Sequence, residues 1–387
     1  MNQRPTKIWL STPHMGGTEL SFIEEAFRDN KVMPLGPHVD GFEEDLSSFL
    51  GENRFVAALN TGTAALHLAL IQAGVRSGEV VICQSMTFAA SVNPVVYLGA
   101  KPVFVDSEKK TWNMSPDCLL TAIEECLKKG KKPKAIVVVD LYGMPAQYDK
   151  IETIAQQFDI TLIEDAAEAL GASYKGRKCG TFGQLAILSF NGNKIITTSG
   201  GGALVCKTSE EAEFARFLAT QARDKASHYQ HSHIGYNYRM SNISAGIGRG
   251  QMQVLPERIN ARRAVHSFYK KAFSGLPGIR LHEEPEEEYF SNHWLSCILV
   301  DPSLTGGVSR ETIRLALLGE GIESRPLWKP MHLQPVFSAC PFYGDGTSEQ
   351  LFKQGLCLPS SSCLTEEELL EIAEVIISLM KNVKTST

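Results

Sequence analysis

Short runs of β-branched and other apolar residues alternate with longer helix-patterned segments over the first two thirds of the chain. The runs predict six strands, at residues 55–59, 80–83, 102–105, 135–139, 161–163 and 186–190. Because these runs are almost continuously apolar, they are typical of strands that are buried on both faces of a parallel sheet. The alternation therefore predicts an α/β fold, in which helices connect the strands and cover both faces of a mostly parallel sheet.

Local capping signals mark where the connecting helices begin. A helix is predicted at residues 63–73, directly after the first strand. Ser115 precedes a proline, and Thr208 stands three residues before Glu211, so both are typical of a helix N-terminus. The glycine-rich segment 246–250 follows no predicted strand, so we interpret it as close helix packing rather than a dinucleotide-binding loop.

The pattern changes near residue 260. A long helical segment passes through Arg263, an acidic loop covers residues 283–288, a strand-like run covers 295–300, and a last helix follows Thr365. We therefore predict a large α/β domain over residues 1–260, which includes the N-terminal segment, and a smaller C-terminal α+β domain over residues 261–387.

Charge and hydropathy limit the classes of partner. The chain has 38 Lys and Arg against 43 Asp and Glu, and this net charge of −5 argues against a nucleic-acid-binding surface. No run of about eighteen apolar residues occurs, and residues 1–5 lack the apolar core of a secretion signal. We predict a cytoplasmic protein with no nucleic-acid and no membrane partner.

Neither the cysteines nor the histidines predict a metal site. The nine cysteines are scattered without a Cys-x-x-Cys pair, which argues against a disulfide framework and against a zinc ribbon. His228, His231 and His233 have no carboxylate or thiolate nearby in sequence, so a polar loop is the better interpretation.

Three segments that follow predicted strands carry the residue types of a ligand site. In residues 60–66, small residues open the helix after the first strand, so that backbone N–H groups of its first turn can face a phosphate. An ordinary capped turn with Thr63 as the cap is the alternative for this segment.

The second segment ends the strand 161–163 in two carboxylates, Glu164 and Asp165. Ligands of open α/β sheets bind at the carboxyl ends of the strands. A carboxylate at such an edge is costly unless a cation neutralises it, which implies a positively charged partner. Either residue could instead cap the helix that follows.

The third segment contains Lys194, 29 residues beyond Asp165, in a turn of small and polar residues that leads to three glycines at 200–202. An amine near an apolar sheet edge can be held deprotonated and form a Schiff base, although an ordinary surface lysine is the alternative. A phosphate-binding helix N-terminus, a strand-end aspartate and a lysine are together the anchors of pyridoxal phosphate.

With these segments identified, the chain resembles the fold-type I sugar-nucleotide aminotransferases, often called the DegT family, over nearly its whole length. The resemblance rests on residues 60–67, 86–91, 164–168, 189–194 and 236–242, which are specific as a set. It implies a fold-type I pyridoxal phosphate transferase, with a mostly parallel sheet flanked by helices and a smaller C-terminal α+β domain.

The resemblance also implies roles for individual residues. Lys194 would bind the cofactor's aldehyde as a Schiff base, and Asp165 would pair with the ring nitrogen. Phe88 would stack on the ring, and Glu168 would lie near its phenolic oxygen, where many relatives have Gln. The remaining cofactor-binding residues would hold the phosphate: Thr61, Gly62, Thr63, Ser189 and, from the neighbouring subunit, Asn237. The active unit would therefore be a homodimer with shared active sites.

The finer resemblance is to enzymes that transfer an amino group from L-glutamate to C4 of a nucleotide-linked 4-keto-6-deoxy sugar. Residues 13–17 and 189–194, together with Glu168, are most similar to the aminotransferases of UDP-N-acetylbacillosamine synthesis. The substrate would then be UDP-4-keto-6-deoxy-N-acetylglucosamine. The GDP-perosamine synthases, which act on a GDP-linked ketosugar, share much of the pattern and are the alternative. The substrate residues implied in this way are Asn30, Lys31, Val32, Met33, Arg239, Arg325, Pro326, Leu327, Trp328 and His332.

Two other functions remain as alternatives. The family also contains sugar dehydratases, in which histidine replaces the lysine, so the presence of Lys194 favours a transaminase. A non-catalytic binding or regulatory protein could keep the fold without the chemistry.

Overall fold

The computed structural model describes residues 6–51 and 53–384, so the prediction about residues 1–5 lies outside the described residues. The α-helices are α1 Glu19–Arg28, α2 Pro37–Leu50, α3 Gly62–Gln72, α4 Asn93–Tyr97, α5 Pro116–Lys128, α6 Tyr148–Gln157, α7 Ser209–Ala219, α8 Asn242–Gln253, α9 Leu255–Ala272, α10 Arg310–Gly319, α11 Thr347–Gln354 and α12 Glu366–Lys384. Within the part of the chain that is described, no helix combines the length and the apolar character needed to cross a membrane.

The strands fall into three sheets. They are β1 Phe55–Leu59, β2 Val80–Gln84, β3 Lys101–Val105, β4 Ala135–Val139, β5 Thr161–Asp165, β6 Ser173–Tyr174, β7 Arg177–Lys178, β8 Leu185–Ser189, β9 Gly202–Cys206, β10 Ile279–Leu281, β11 Tyr289–Phe290, β12 Ser296–Val300, β13 Arg325–Pro326, β14 Phe342–Tyr343 and β15 Gly355–Leu358. All six strands predicted for the first two thirds of the chain are present, with ends that differ by two residues at most.

The largest sheet has the strand order β1-β9-β8-β5-β4-β2-β3-β14. β9 runs antiparallel to β1 and β8, and the other neighbouring pairs are parallel. The prediction of an α/β fold with a mostly parallel sheet is therefore confirmed. The sequence analysis missed β9, which lies between two strands that are distant from each other in sequence.

Both faces of this sheet are covered by helices. Residues of α2, α5, α6 and α8 pack on one face together with Leu162 of β5. Residues of α3, α4 and α7 pack on the other face together with Ile163. Because successive strand side chains point to opposite faces, Glu164 lies on the same face as Leu162, and Asp165 lies on the same face as Ile163.

The C-terminal third forms a second, antiparallel sheet of order β10-β12-β15-β13, and its core includes residues of α9, α10 and α12. The short strands β11, β6 and β7 form a third sheet. The proposed domain boundary at residues 260 and 261 falls inside α9 and remains a prediction. Each predicted domain also pairs with a segment of the other. Ile8, from the N-terminal part, forms an isolated β-bridge with Ile322, and β14, from the C-terminal part, joins the large sheet.

The glycine-rich segment 246–250 lies in α8, where it permits close packing. A Cβ on Gly248 would lie 2.7 Å from the ring of Phe42 in α2, and one on Gly250 would lie 2.9 Å from the backbone nitrogen of Glu19 in α1. The interpretation of this segment as a close helix contact is therefore confirmed.

Candidate active site

A cavity of about 280 Å³ lies at the carboxyl ends of β4, β5 and β8, whose last residues Val139, Asp165 and Ser189 all line it. The structure thus brings together segments that are separated by more than two hundred residues in sequence. The predicted residues among those that line the cavity are Thr61, Gly62, Thr63, Phe88, Asp165, Glu168, Ser189, Lys194 and Trp328.

The N-terminus of α3 forms one end of the cavity. Thr61 caps the helix, since its Oγ1 accepts a hydrogen bond from the backbone N–H of Ala64 at 2.9 Å. The N–H groups of Gly62 and Thr63 have no acceptor among the described residues. Because such groups and the helix dipole attract anions, this end of the cavity suits a phosphate.

Two glycines allow β8 and β9 to approach the start of α3. A Cβ on Gly202 would lie 2.3 Å from the backbone nitrogen of Gly62, and a Cβ on Gly62 would lie 3.1 Å from the Cβ of Ser189. A larger side chain at either position would separate the helix N-terminus from Ser189. The glycines therefore shape the phosphate end of the cavity.

Asp165 is buried at the end of β5, and two donors from the chain hold its carboxyl group. Ser91 Oγ–H donates to Oδ2 at 2.6 Å, and the backbone N–H of Ala167 donates to Oδ1 at 3.1 Å. Burial raises the pKa of Asp165, while these two hydrogen bonds and the charge of Lys194 oppose that rise. A donor or cation placed in the cavity would offset the remaining cost of the charged carboxylate.

Lys194 reaches the cavity from the turn after β8. Its Nζ lies 3.6 Å from Oε1 of Glu168 and 4.1 Å from the centre of the Trp294 ring. The indole N–H of Trp294 donates to the carbonyl of Asn193 at 2.7 Å, which fixes the turn that carries the lysine. Trp294 was not predicted, because it precedes a strand of the second sheet and nothing local connects it with Lys194.

Glu168 is held by the backbone of Tyr142, whose N–H donates to Oε2 at 2.7 Å. Tyr142 has a φ of 56°, in the left-handed region that residues with a Cβ rarely adopt. Burial raises the pKa of Glu168, and the nearby Lys194 opposes the rise. The hydroxyl of Tyr142 accepts a hydrogen bond from the backbone N–H of Trp328 at 2.8 Å. Tyr142 therefore connects Glu168, which lies beside Lys194, with Trp328 in the opposite wall of the cavity.

Aromatic side chains form that opposite wall. Phe88 is 52% exposed, although Thr87 before it is buried, and its ring centre lies 5.2 Å from that of Trp328. The indole nitrogen of Trp328 is buried and has no hydrogen-bond partner among the described residues. An open apolar ring and an unused donor beside a cavity suit a flat, polar aromatic ligand.

Two of the predicted substrate residues are held inside the chain. Arg239 donates to the carbonyl of Ala58 at 2.9 Å and pairs with Glu43, and its side chain is 8% exposed. His332 lies with Nδ1 2.7 Å from the hydroxyl of Ser85, and its ring stacks on Phe342. Neither residue lines the cavity, and their substrate roles remain predictions.

The other predicted positions do not line the cavity. Asn30, Lys31, Val32 and Met33 form an exposed segment after α1, whereas Leu327 is buried. Arg325 is exposed and pairs with Glu323 at 2.7 Å, and Pro326 follows it in β13. Asn237 is exposed and accepts a hydrogen bond from the side chain of Asn60 at 3.2 Å. Their roles also remain predictions.

A second group of acids lies on the other face of the sheet. Ligand atoms of Asp140, Glu164 and Cys179 lie within 4.8 Å of one another. Glu164 accepts the backbone N–H groups of Gly180 at 2.5 Å and Phe182 at 2.7 Å, which is a structural arrangement. Burial raises the pKa of Asp140 to about 6 and that of Glu164 well above its usual value.

A comparison with models of protein families shows the family of the chain. A model of the DegT/DnrJ/EryC1/StrS aminotransferase family matches residues 13–377. The chain belongs to this family. Aminotransferases of the family use pyridoxal phosphate, so the predicted cofactor is confirmed. The residues described above fit it: a helix N-terminus suited to a phosphate, a buried carboxylate, a lysine and an open aromatic ring.

Individual relatives agree with this assignment. EpsN of Bacillus subtilis, whose name proposes a pyridoxal phosphate-dependent aminotransferase, is 49% identical over 98% of this chain and 97% of its own length. GDP-perosamine synthase of Escherichia coli O157:H7 is 36% identical over 94% of this chain and 96% of its own. The crystal structure of a family aminotransferase from Brucella abortus is 30% identical, with a TM-score of 0.87, and covers 94% of this chain and 95% of its own. The chain is a sugar aminotransferase of this family.

Proposed function

We propose that this enzyme transfers an amino group from L-glutamate to C4 of a nucleotide-linked 4-keto-6-deoxy sugar. The observation that carries the proposal is the position of the Lys194 amine, inside the cavity and 3.6 Å from Glu168. A lysine in this position supports transamination over the alternative of a dehydratase, which would have histidine there.

The residues that line the cavity would have separate roles in the reaction. Thr61, Gly62, Thr63 and Ser189 would hold the phosphate of the cofactor. Bound pyridoxal phosphate supplies the electron sink that makes a neighbouring C–H bond acidic. Asp165 would accept a hydrogen bond from the ring nitrogen and keep it protonated, and Phe88 would cover one face of the ring.

Lys194 would move the proton. Its free amine would take a proton from Cα of glutamate and pass it to the cofactor in the first half-reaction, and would carry a proton from the cofactor to C4 of the sugar in the second. Once protonated, this amine is an ammonium group beside Glu168 and the ring face of Trp294, and both stabilise a cation. Tyr142 keeps Glu168 in place for this step through its backbone N–H.

For the substrate, we propose UDP-4-keto-6-deoxy-N-acetylglucosamine, on the strength of the sequence resemblance at residues 13–17 and 189–194. The second candidate is the GDP-linked 4-keto-6-deoxymannose. It is favoured by a specific observation, since a relative named GDP-perosamine synthase is 36% identical over nearly the whole chain. The two candidates differ in the nucleotide and in the sugar substituent at C2, while the chemistry at C4 is the same.

A spectral half-reaction separates these candidates. The purified enzyme is converted to its amino form with glutamate, freed of glutamate, and mixed with either ketosugar while the absorbance of the resting enzyme is followed. Return of that absorbance with the UDP sugar supports the first proposal, and return with only the GDP sugar replaces it by the second. No return with either would overturn the substrate class. No conversion by glutamate, after addition of pyridoxal phosphate, would favour a non-catalytic protein.

We also propose that the enzyme works as a homodimer in which Asn237 reaches the phosphate in the neighbouring subunit. Large apolar side chains that are exposed in the single chain support this, including Phe27 at 64%, Leu35 at 66% and Ile234 at 84%. Sedimentation analysis should give twice the chain mass. Mixing inactive Lys194→Ala chains with weakly active Asn237→Ala chains should restore activity, because a mixed dimer has one intact site. Unchanged activity after subunit exchange would contradict shared sites. The cytoplasmic location remains a prediction.

A further inference from the structure

The Asp165 carboxylate is held by a chain of two hydroxyl groups, from Ser91 and Thr87, which also line the cavity. Ser91 Oγ–H donates to Asp165 Oδ2 at 2.6 Å, and Thr87 Oγ1 lies 2.8 Å from Ser91 Oγ. Because the only hydroxyl proton of Ser91 is donated to Asp165, the Thr87 hydroxyl must be the donor in the second contact. Thr87 and Ser91 are both buried, with 1% and 4% of their surface exposed.

A short 3₁₀ turn fixes the geometry of this chain. The turn covers residues Ala89–Ser91, and the backbone N–H of Ser91 donates to the carbonyl of Phe88 at 3.0 Å. The same turn therefore carries the exposed ring of Phe88 and the buried hydroxyl of Ser91 at a fixed spacing. One rigid segment sets both the wall that would face the cofactor ring and the group that orients the carboxylate at its nitrogen.

Asp165 keeps free acceptor capacity toward the cavity. A carboxylate offers about four lone-pair sites, and the chain occupies two of them, with Ser91 on Oδ2 and Ala167 on Oδ1. The charged groups near Asp165 are Lys194, which favours the ionised carboxylate, and Glu168, which opposes it when ionised. The Ser91 hydroxyl adds a short, buried hydrogen bond that favours the ionised form.

We propose that Ser91, oriented by Thr87, is a positioning residue that keeps Asp165 ionised and aimed at the ring nitrogen of the cofactor. The inference rests on the pairing of Asp165 with that nitrogen, which is part of the proposed function. Ser91 acts through Asp165 and needs no contact with the substrate. Its effect should therefore be visible in the enzyme loaded with cofactor, before any sugar is added.

The experiment measures the protonation of the ring nitrogen directly. Pyridoxal phosphate labelled with ¹⁵N in the ring is bound to each variant, and the nitrogen signal is recorded by NMR. Stopped-flow absorbance gives the rate of the glutamate half-reaction in the same samples. In Ser91→Ala the nitrogen signal should move toward the unprotonated position, and the half-reaction should slow about 10- to 100-fold, the usual worth of a hydrogen bond to a charged group.

Companion variants separate this role from a packing defect. Ser91→Thr keeps the hydroxyl and should retain the parent signal. Thr87→Val should move the signal in the same direction as Ser91→Ala but by less, and the double variant should equal Ser91→Ala alone, because Thr87 acts through Ser91. Ser107→Ala is the matched control, since this serine is equally buried and its hydroxyl has no hydrogen-bond partner among the described residues.

Two outcomes would overturn the proposal. One is a protonated ring nitrogen and an unchanged half-reaction rate in Ser91→Ala. The other is an equal loss in Ser91→Thr and Ser91→Ala, which would point to packing. An Asp165→Asn reference that leaves the nitrogen signal unchanged would overturn the pairing itself, and with it this inference. Inactivity toward both nucleotide sugars, with the expected nitrogen signals, would count against only the proposed substrate.

Discussion

Glu164 and Asp165 are adjacent in sequence and chemically alike, yet they end in opposite environments. Glu164 points to the face covered by α2, α5, α6 and α8, where two backbone N–H groups and the carboxyl group of Asp140 surround it. Asp165 points to the other face and lines the cavity that contains Lys194. Burial raises the pKa of both, but only Asp165 lines the cavity, so only its remaining acceptor sites can meet a ligand there.

The alternation of side chains along the strand, rather than residue type, therefore determines the different environments of Glu164 and Asp165. Side chains on β5 alternate between faces, so a shift of one residue in the strand register would exchange the acid that lines the cavity for the acid on the other face. The strand is pinned by its pairing with both neighbours, β4 and β8. The sheet therefore keeps the chemistry on one face and the structural acid on the other.

The largest effect is expected on the cavity side, at the lysine that faces Asp165. Lys194→Ala should abolish turnover, because no other amine lines the described cavity. Turnover is measured with saturating pyridoxal phosphate and glutamate. Lys178→Ala is the control, since that amine bonds the carbonyl of Phe49 outside the cavity. Measurable turnover in the Lys194 variant would contradict the assignment.

Asp165→Asn should lower the rate of the glutamate half-reaction by about three orders of magnitude, or ~4 kcal/mol in activation free energy, because an amide cannot keep the ring nitrogen protonated. The free energy of unfolding at neutral pH should stay equal or rise, since burial raises the pKa of this carboxyl and an amide removes the cost of its charge. The amide oxygen can still accept from the backbone N–H of Ala167, and the Ser91 hydroxyl, unlike the backbone donors at Glu164, can rotate to accept from the amide NH2. Urea unfolding measures the predicted free energy of unfolding. A variant that unfolds more easily would show that Asp165 is structural like its neighbour.

Glu164→Gln should show the opposite pattern. An amide has only one acceptor oxygen, so either Gly180 or Phe182 would lose its hydrogen-bond acceptor. We expect a loss of about 1–3 kcal/mol in the free energy of unfolding, with the half-reaction rate of the cofactor-saturated enzyme nearly unchanged. A large fall in that rate without a loss of stability would contradict the structural role of Glu164.

The smallest effect is a change in pH dependence. Burial raises the pKa of Asp140 to about 6, so the folded state binds this proton more tightly than the unfolded state. This contribution to stability is complete below about pH 4 and is lost as the pH rises through 6, with a total of about 1–3 kcal/mol. Asp140→Asn keeps an acceptor for Ala146 and Tyr148 and should flatten this slope.

Urea unfolding at pH 5 and pH 8 measures that slope. Asp159→Asn is the matched control, because the side chain of Asp159 is fully exposed, and its slope should equal that of the parent enzyme. An unchanged slope in Asp140→Asn would mean that the raised pKa of Asp140 does not contribute to the pH dependence of stability.

Local patterns in the sequence were reliable because their physical causes are local. The six strands were predicted from their apolar runs, and the caps at Ser115 and Thr208 form as expected, since each depends on residues within one helical turn. The strand β9 was missed because its place between β1 and β8 depends on distant partners. The aromatic residues at 142 and 294 and the orientation of Ser91 were missed for the same reason.

The sequence by itself determined the fold class, the positions of Lys194 and Asp165 after their strands, and a resemblance that covers nearly the whole chain. Only the tertiary structure decided that Asp165 rather than Glu164 faces the cavity, that Trp294 lies against the lysine, and that Ser91 holds the aspartate. The physical reason is that a strand end or a helix cap is set by neighbouring residues. The surroundings of a buried charge depend instead on which distant segments the packed sheet brings to it.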